Sequence, residues 1–136
     1  MCVIVLASGA GGADPQWNST APACRSTRFG DPVSWSCGQA SFAVIADDKA
    51  RVVLKASPDL RHLMEQTPAL QPSDRLRTSI AVVGLTAGDV DVLLTLRERQ
   101  SFTQLGTPRV QAILVANPMV EVLNHMIGSH RELPVA

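Results

Sequence analysis

The sequence has 136 residues, with 12 basic and 12 acidic side chains, a formal net charge of zero and 46% hydrophobic residues. That length suits one domain with a single unstapled core, and the apolar content excludes disorder along the whole chain. The charge balance excludes the overall basic excess of a strong nucleic-acid binder, while leaving room for a local patch.

Three cysteines, Cys2, Cys24 and Cys37, show no metal-binding spacing, and an odd number does not make a disulfide framework. Free thiols in a reducing cytoplasm are the simplest account, and a cytoplasmic protein is expected. No apolar run is long enough to span a bilayer, and the start, Cys2-Val3-Ile4-Val5-Leu6-Ala7, lacks the positive segment of a secretory signal. No membrane association is expected.

Residues 1–32 are expected to form a Gly/Pro-rich N-terminal segment, either a strand running into a long loop or a poorly ordered leader. Gly9, Gly11, Gly12 and Gly30 with Pro15, Pro22 and Pro32 leave no helical or strand period after the first residues. Residues 33–136 are expected to form a single α+β domain. Phe42-Ala43-Val44-Ile45-Ala46 and Arg51-Val52-Val53-Leu54-Lys55-Ala56 are short β-rich runs around the polar Asp47-Asp48-Lys49-Ala50, which predicts an antiparallel hairpin.

Ser57-Pro58-Asp59 predicts a helix start, since serine caps amides, proline suits the first turn and aspartate suits the positive end of the dipole. Leu60, Leu63 and Met64 then make one apolar stripe, and Pro68 and Pro72 bound the helix. Residues 78–85 read as a strand. Thr86-Ala87-Gly88-Asp89 resembles a capping box, opening a helix that runs to about Ser101. After Gly106-Thr107-Pro108, residues 110–115 read as a strand. Asn117-Pro118 then predicts a helix carrying Met119, Val122, Leu123, Met126 and Ile127 and ending at Gly128.

No catalytic constellation emerges, so the chain reads as more a binding protein than an enzyme. Val3 to Gly12 runs from a strand into glycines, as phosphate loops do, but no Walker lysine, clean GxGxxG or following helix accompanies it. His62 reads as a surface residue. His125, His130 and Glu132 are close in sequence, but the five-residue spacing of the histidines across Gly128 is not a ligand pair on one helix face. Cys37 has no base partner in sequence, and Asp47-Asp48 and Asp89/Asp91 are better explained as a turn and a helix start. No metal and no cofactor are implied. Lys55, Arg61, Arg75 and Arg77 are the best nucleic-acid candidates, able to contact phosphates if the segments carrying them converge.

The order of the central segments resembles the MmcQ/YjbR-like family. The residues carrying the resemblance are Ser41-Phe42-Ala43-Val44-Ile45, the run from Arg51 to Asp59, Pro68, Pro72, the strand to Leu85 and the helix from Asp89 to Ser101, so that residues 33–102 are covered. The resemblance implies a two-layer α+β fold, an antiparallel sheet packed against helices, and a small nonenzymatic domain contacting duplex DNA. A protein-interaction or self-associating module without nucleic-acid binding is the alternative, with the apolar residues 110–127 as the pairing surface of a homo-oligomer.

Overall fold

The computed structural model describes residues 1–46, 50–72, 80–86, 90–96 and 101–121, together with the backbone of 127–132. Six strands form one sheet: β1 (Cys2–Ala7), β2 (Ser41–Ile45), β3 (Arg51–Leu54), β4 (Ile80–Gly84), β5 (Phe102–Gly106) and β6 (Ile127–Glu132). Their order across the sheet is their order along the chain. The helices are α1 (Pro22–Arg28), α2 (Leu60–Gln66), α3 (Pro108–Val115) and the single turn α4 (Pro118–Glu121), with 3-10 segments at Pro68–Leu70 and Val90–Leu96.

The expected combination of a sheet and helices holds, but the sheet is mixed rather than antiparallel. β1 to β3 pair antiparallel, with Ile4 opposite Ala43 and Ala43 opposite Val53, and the expected hairpin is β2–β3. From β3 onward every pair is parallel. The change follows from connection length: β2 and β3 are close enough for a tight turn, whereas the later strands are separated by helix-sized crossovers. Residues 1–32 contribute β1 and α1, with β1 hydrogen-bonded along β2.

Helix α2 lies where the serine–proline–aspartate signal puts it. Leu60 and Leu63 are buried and Met64 packs against the core. Its capping differs from the expectation: Asp59 occupies the cap position without bonding the helix amides through its side chain, which instead accepts from the Gln39 N–H at 2.8 Å. Asn117 does cap as expected, with its Oδ1 accepting from the Met119 N–H at 3.1 Å.

The C-terminal third departs from the sequence reading. Residues 110–115, expected as a strand, belong to α3. Thr107 accepts from the Val110 N–H, Pro108 fills the first helical turn, and Val110 and Leu114 fall one helical turn apart on the buried side. The strand comes earlier, at β5, where Phe102, Gln104 and Gly106 face inward. A buried glutamine hides that alternation, and its Oε1 accepts from Gln111 Nε2 at 2.8 Å. The helix expected from 89 to 101 is a 3-10 segment over Val90–Leu96, and 87–89 and 97–100 lie outside the described residues. The helix expected over 119–127 is described only as α4, and Ile127 and Gly128 are in β6.

The core lies between one sheet face and α2, the Val90–Leu96 segment and α3. Val53 and Val83 from the sheet meet Leu60, Val92, Leu93 and Leu114, all at or close to zero exposure. Burying each such side chain stabilises by roughly 1.5–3 kcal/mol. Among the described residues, no helix is long and apolar enough to cross a membrane.

Candidate functional site

The Gly/Pro-rich segment is held in place by backbone bonding to residues 37–40. The Gly9 N–H donates to Gly38 O and the Ala40 N–H to Gly9 O, both at 2.9 Å. Further along, Asp14 and Cys37 exchange two backbone bonds, each 2.8 Å. A Cβ on Gly9 would come to 2.6 Å from Gly38 O, so the absent side chain is what lets the two stretches meet. This close approach accounts for the glycine without a phosphate loop.

Between these stretches and α2 lies an open cleft of about 360 Å³, lined by Asp14, Cys37, Gly38, Asp59, His62 and Gln66 among others. Its two carboxylates are set by neighbours. Asp14 Oδ2 accepts from Thr27 Oγ1 at 2.8 Å and Oδ1 from the Cys24 thiol at 3.4 Å, which ties α1 to the cleft wall. Thr27 Oγ1 is also 2.5 Å from Ser34 Oγ. Asp59 joins the start of α2 to the opposite wall through Gln39.

Among the described residues, Cys37 is the titratable group whose ordinary value is clearly shifted. The Ser8 amide, followed by the Ser8 hydroxyl, holds its thiol below the ordinary cysteine value, against desolvation and the Asp14 charge, which raise it. Its Sγ lies 3.6 Å from Ser8 Oγ. The cleft therefore presents a thiol, two carboxylates, an imidazole and a side-chain amide. Among the described residues, no three His, Cys, Asp or Glu side chains come together to hold a metal ion.

In sequence these residues stand far apart. Cys37 lacks a partner in sequence because its partner, Ser8, lies 29 positions away. Asp59 is marked in sequence only as an acid suited to the positive end of the α2 dipole. Nothing marked Asp14 beyond its place before Pro15.

The nucleic-acid candidates are not gathered into a patch within the described residues. Lys55 follows β3 with a positive φ of 50°. Arg61 is exposed on α2, where its Nε is 3.2 Å from Glu65 Oε1 in an i,i+4 ion pair. Arg75 and Arg77 lie outside the described residues. His62 is on the α2 surface as expected, and His125 and the side chains of His130 and Glu132 are likewise outside.

No family model matches the chain. It is 55% identical over 129 residues to coenzyme PQQ synthesis protein B of Gluconacetobacter diazotrophicus, covering 92% of this chain and 42% of that protein. It is 46% identical over 126 residues to the protein of the same name from Gluconobacter oxydans, covering 90% and 41%. The crystal structure of Zn2+-bound PqqB from Methylobacterium extorquens superposes with a TM-score of 0.91 at 33% identity, over 99% of this chain and 50% of that one. A diphosphatase of the PhnP family superposes with a TM-score of 0.59 at 17% identity, a likeness of fold alone. The chain thus spans about half the length of the curated relatives it matches.

These matches overturn the resemblance to the MmcQ/YjbR-like family. The domain contacting duplex DNA goes with it, as does the alternative of an interaction module or homo-oligomer. Short apolar strands with a proline-bounded loop misled because any half-buried sheet produces them.

Proposed function

We propose that this chain is one half of a PqqB-type protein and serves the synthesis of coenzyme PQQ. The 55% identity to the Gluconacetobacter diazotrophicus protein over nearly the whole chain carries this reading. The TM-score of 0.91 with PqqB supports it from the side of the fold. On this reading β1 belongs to the same folded unit as β2, because it is bonded along that strand and the cleft is lined from both parts of the chain. The three unpaired cysteines fit a cytoplasmic setting.

The cleft around Cys37, Asp59 and His62 is the part of this half suited to a polar ligand. Zinc, present in the related crystal structure, does not fit the described residues, which gather no ligand set.

The test is a graft in which this chain replaces the matched segment of the Gluconacetobacter diazotrophicus protein, introduced into a strain lacking that protein. Restored PQQ supports the reading. A graft that is soluble and folded but leaves the strain without PQQ overturns it.

A further inference from the structure

Two of the three cysteines border one side chain. The Cys24 thiol donates to Asp14 Oδ1 at 3.4 Å. Asp14 and Cys37 exchange both backbone bonds at 2.8 Å, which makes them a hydrogen-bonded antiparallel pair. In such a pair the α-carbons are about 5.5 Å apart and the side chains leave on the same side. Cys37 is accordingly close enough for the Asp14 charge to act on its thiol. Cys2 is at the opposite end of β1 from Ser8, about 20 Å along an extended strand.

The two thiols differ in the way a reacting pair requires. Cys37 is partly exposed in the cleft, and the Ser8 amide and hydroxyl favour its thiolate. Cys24 is buried, and it is the one buried residue of α1. With so small an anchor in the core, α1 is held by polar contacts. Cys24 and Thr27 donate to Asp14, and Arg28 donates to the carbonyls of Gln16 and Ser19. A helix fixed in that way can shift towards Cys37 to meet disulfide geometry more readily than one packed deep in a core.

We infer that Cys37 and Cys24 are a redox pair, which a low-molecular-weight disulfide oxidises to an internal bond, Cys37 attacking and Cys24 resolving. In the first step the Cys37 thiolate attacks one sulfur of the small disulfide, a mixed disulfide forms and one small thiolate leaves. In the second the Cys24 sulfur attacks Cys37 Sγ and the other small thiolate leaves, taking the proton that Cys24 directs at Asp14 Oδ1. Two electrons pass from the cysteines to the small disulfide, which ends as two thiols. An accessible, ionised cysteine beside a resolving one is the arrangement of thiol sensors. The new bond fastens α1 to the cleft wall and removes the thiol from a lining that keeps Asp14, Asp59 and His62.

The test treats the reduced chain with glutathione disulfide and follows it over time by alkylation and mass spectrometry of chymotryptic peptides. The expected course is one glutathione on Cys37, then its loss as a Cys24–Cys37 crosslinked peptide appears, two hydrogens lighter than the reduced pair. Cys2 stays open to alkylation and the chain stays monomeric. Cys24→Ser, which keeps a donor for Asp14, should stop at the mixed disulfide on Cys37. Glutathione that never reaches Cys37, or stays there in the parent while Cys24 remains reduced, would overturn the inference. A crosslink through Cys2 or between two chains would do the same. Should Cys24→Ser not fold, the parent's time course decides alone, because the crosslinked peptide identifies the resolving thiol directly.

Discussion

Gly9→Ala is expected to open the junction that builds one wall of the cleft. The added Cβ would meet Gly38 O at 2.6 Å and Cys37 O at 3.0 Å, both backbone atoms that cannot swing aside as a side chain would. Moving Gly38 away breaks the bond from the Gly9 N–H and strains the one from the Ala40 N–H. Two such bonds contribute about 0.5–1.5 kcal/mol each. Overpacking adds roughly 1–3 kcal/mol, so the loss should be about 2–6 kcal/mol. For a chain of this size that lowers Tm by roughly 7–21 °C. Gly11→Ala is the control, because nothing lies within 4 Å of its added Cβ, and it should leave stability within about 0.5 kcal/mol. Circular dichroism melts of both variants make the measurement. Equal Tm values for Gly9→Ala and the parent would refute the argument that the bare α-carbon is what allows this closure.

Other expectations follow from single contacts. Leu60→Ala, at a fully buried position, should cost about 2–5 kcal/mol in urea unfolding, whereas Val3→Ala, at an exposed one, should cost well under 1 kcal/mol. The alkylation rate of Cys37 should rise with pH around a midpoint below that of an ordinary cysteine, because the Ser8 amide and hydroxyl favour the thiolate. Ser8→Ala, which removes only the hydroxyl share, should move that midpoint part of the way up, and an unmoved midpoint would count against the assignment. Thr27→Val should cost about 1–2 kcal/mol by stripping Asp14 of its 2.8 Å donor. Thr107→Ala should cost about 0.5–1 kcal/mol, at the low end for a cap because the bond is 3.4 Å long.

Much of the middle of the fold was legible because its signals are local. The β2–β3 hairpin and α2 each follow from a run of a few residues with its own turn or start signal. The parallel pairing of β4, β5 and β6 was not, since partners distant in sequence leave no mark on one another. β5 escaped because Gln104 is buried on the strength of a bond to Gln111, which only the docked α3 supplies. α3 was hidden because Val110-Gln111-Ala112-Ile113-Leu114-Val115 is rich in β-branched residues, whose strand preference the Thr107-Pro108 start signal outweighs. The cleft was illegible for a related reason: Asp14, Cys37 and Asp59 come together only after β1 has paired with β2 and α2 has docked. The family resemblance rested on apolar strand segments common to many sheets and carried no residue of the cleft except Asp59.

On the proposed reading, this chain supplies a working half of a PqqB-type protein. Its most direct test is the amount of PQQ per cell, by mass spectrometry, in the deletion strain carrying the graft. The expected titre is within a few-fold of that given by the intact Gluconacetobacter diazotrophicus protein. No PQQ above the deletion background, from a graft that is expressed, monodisperse and cooperatively folded, would contradict the claim.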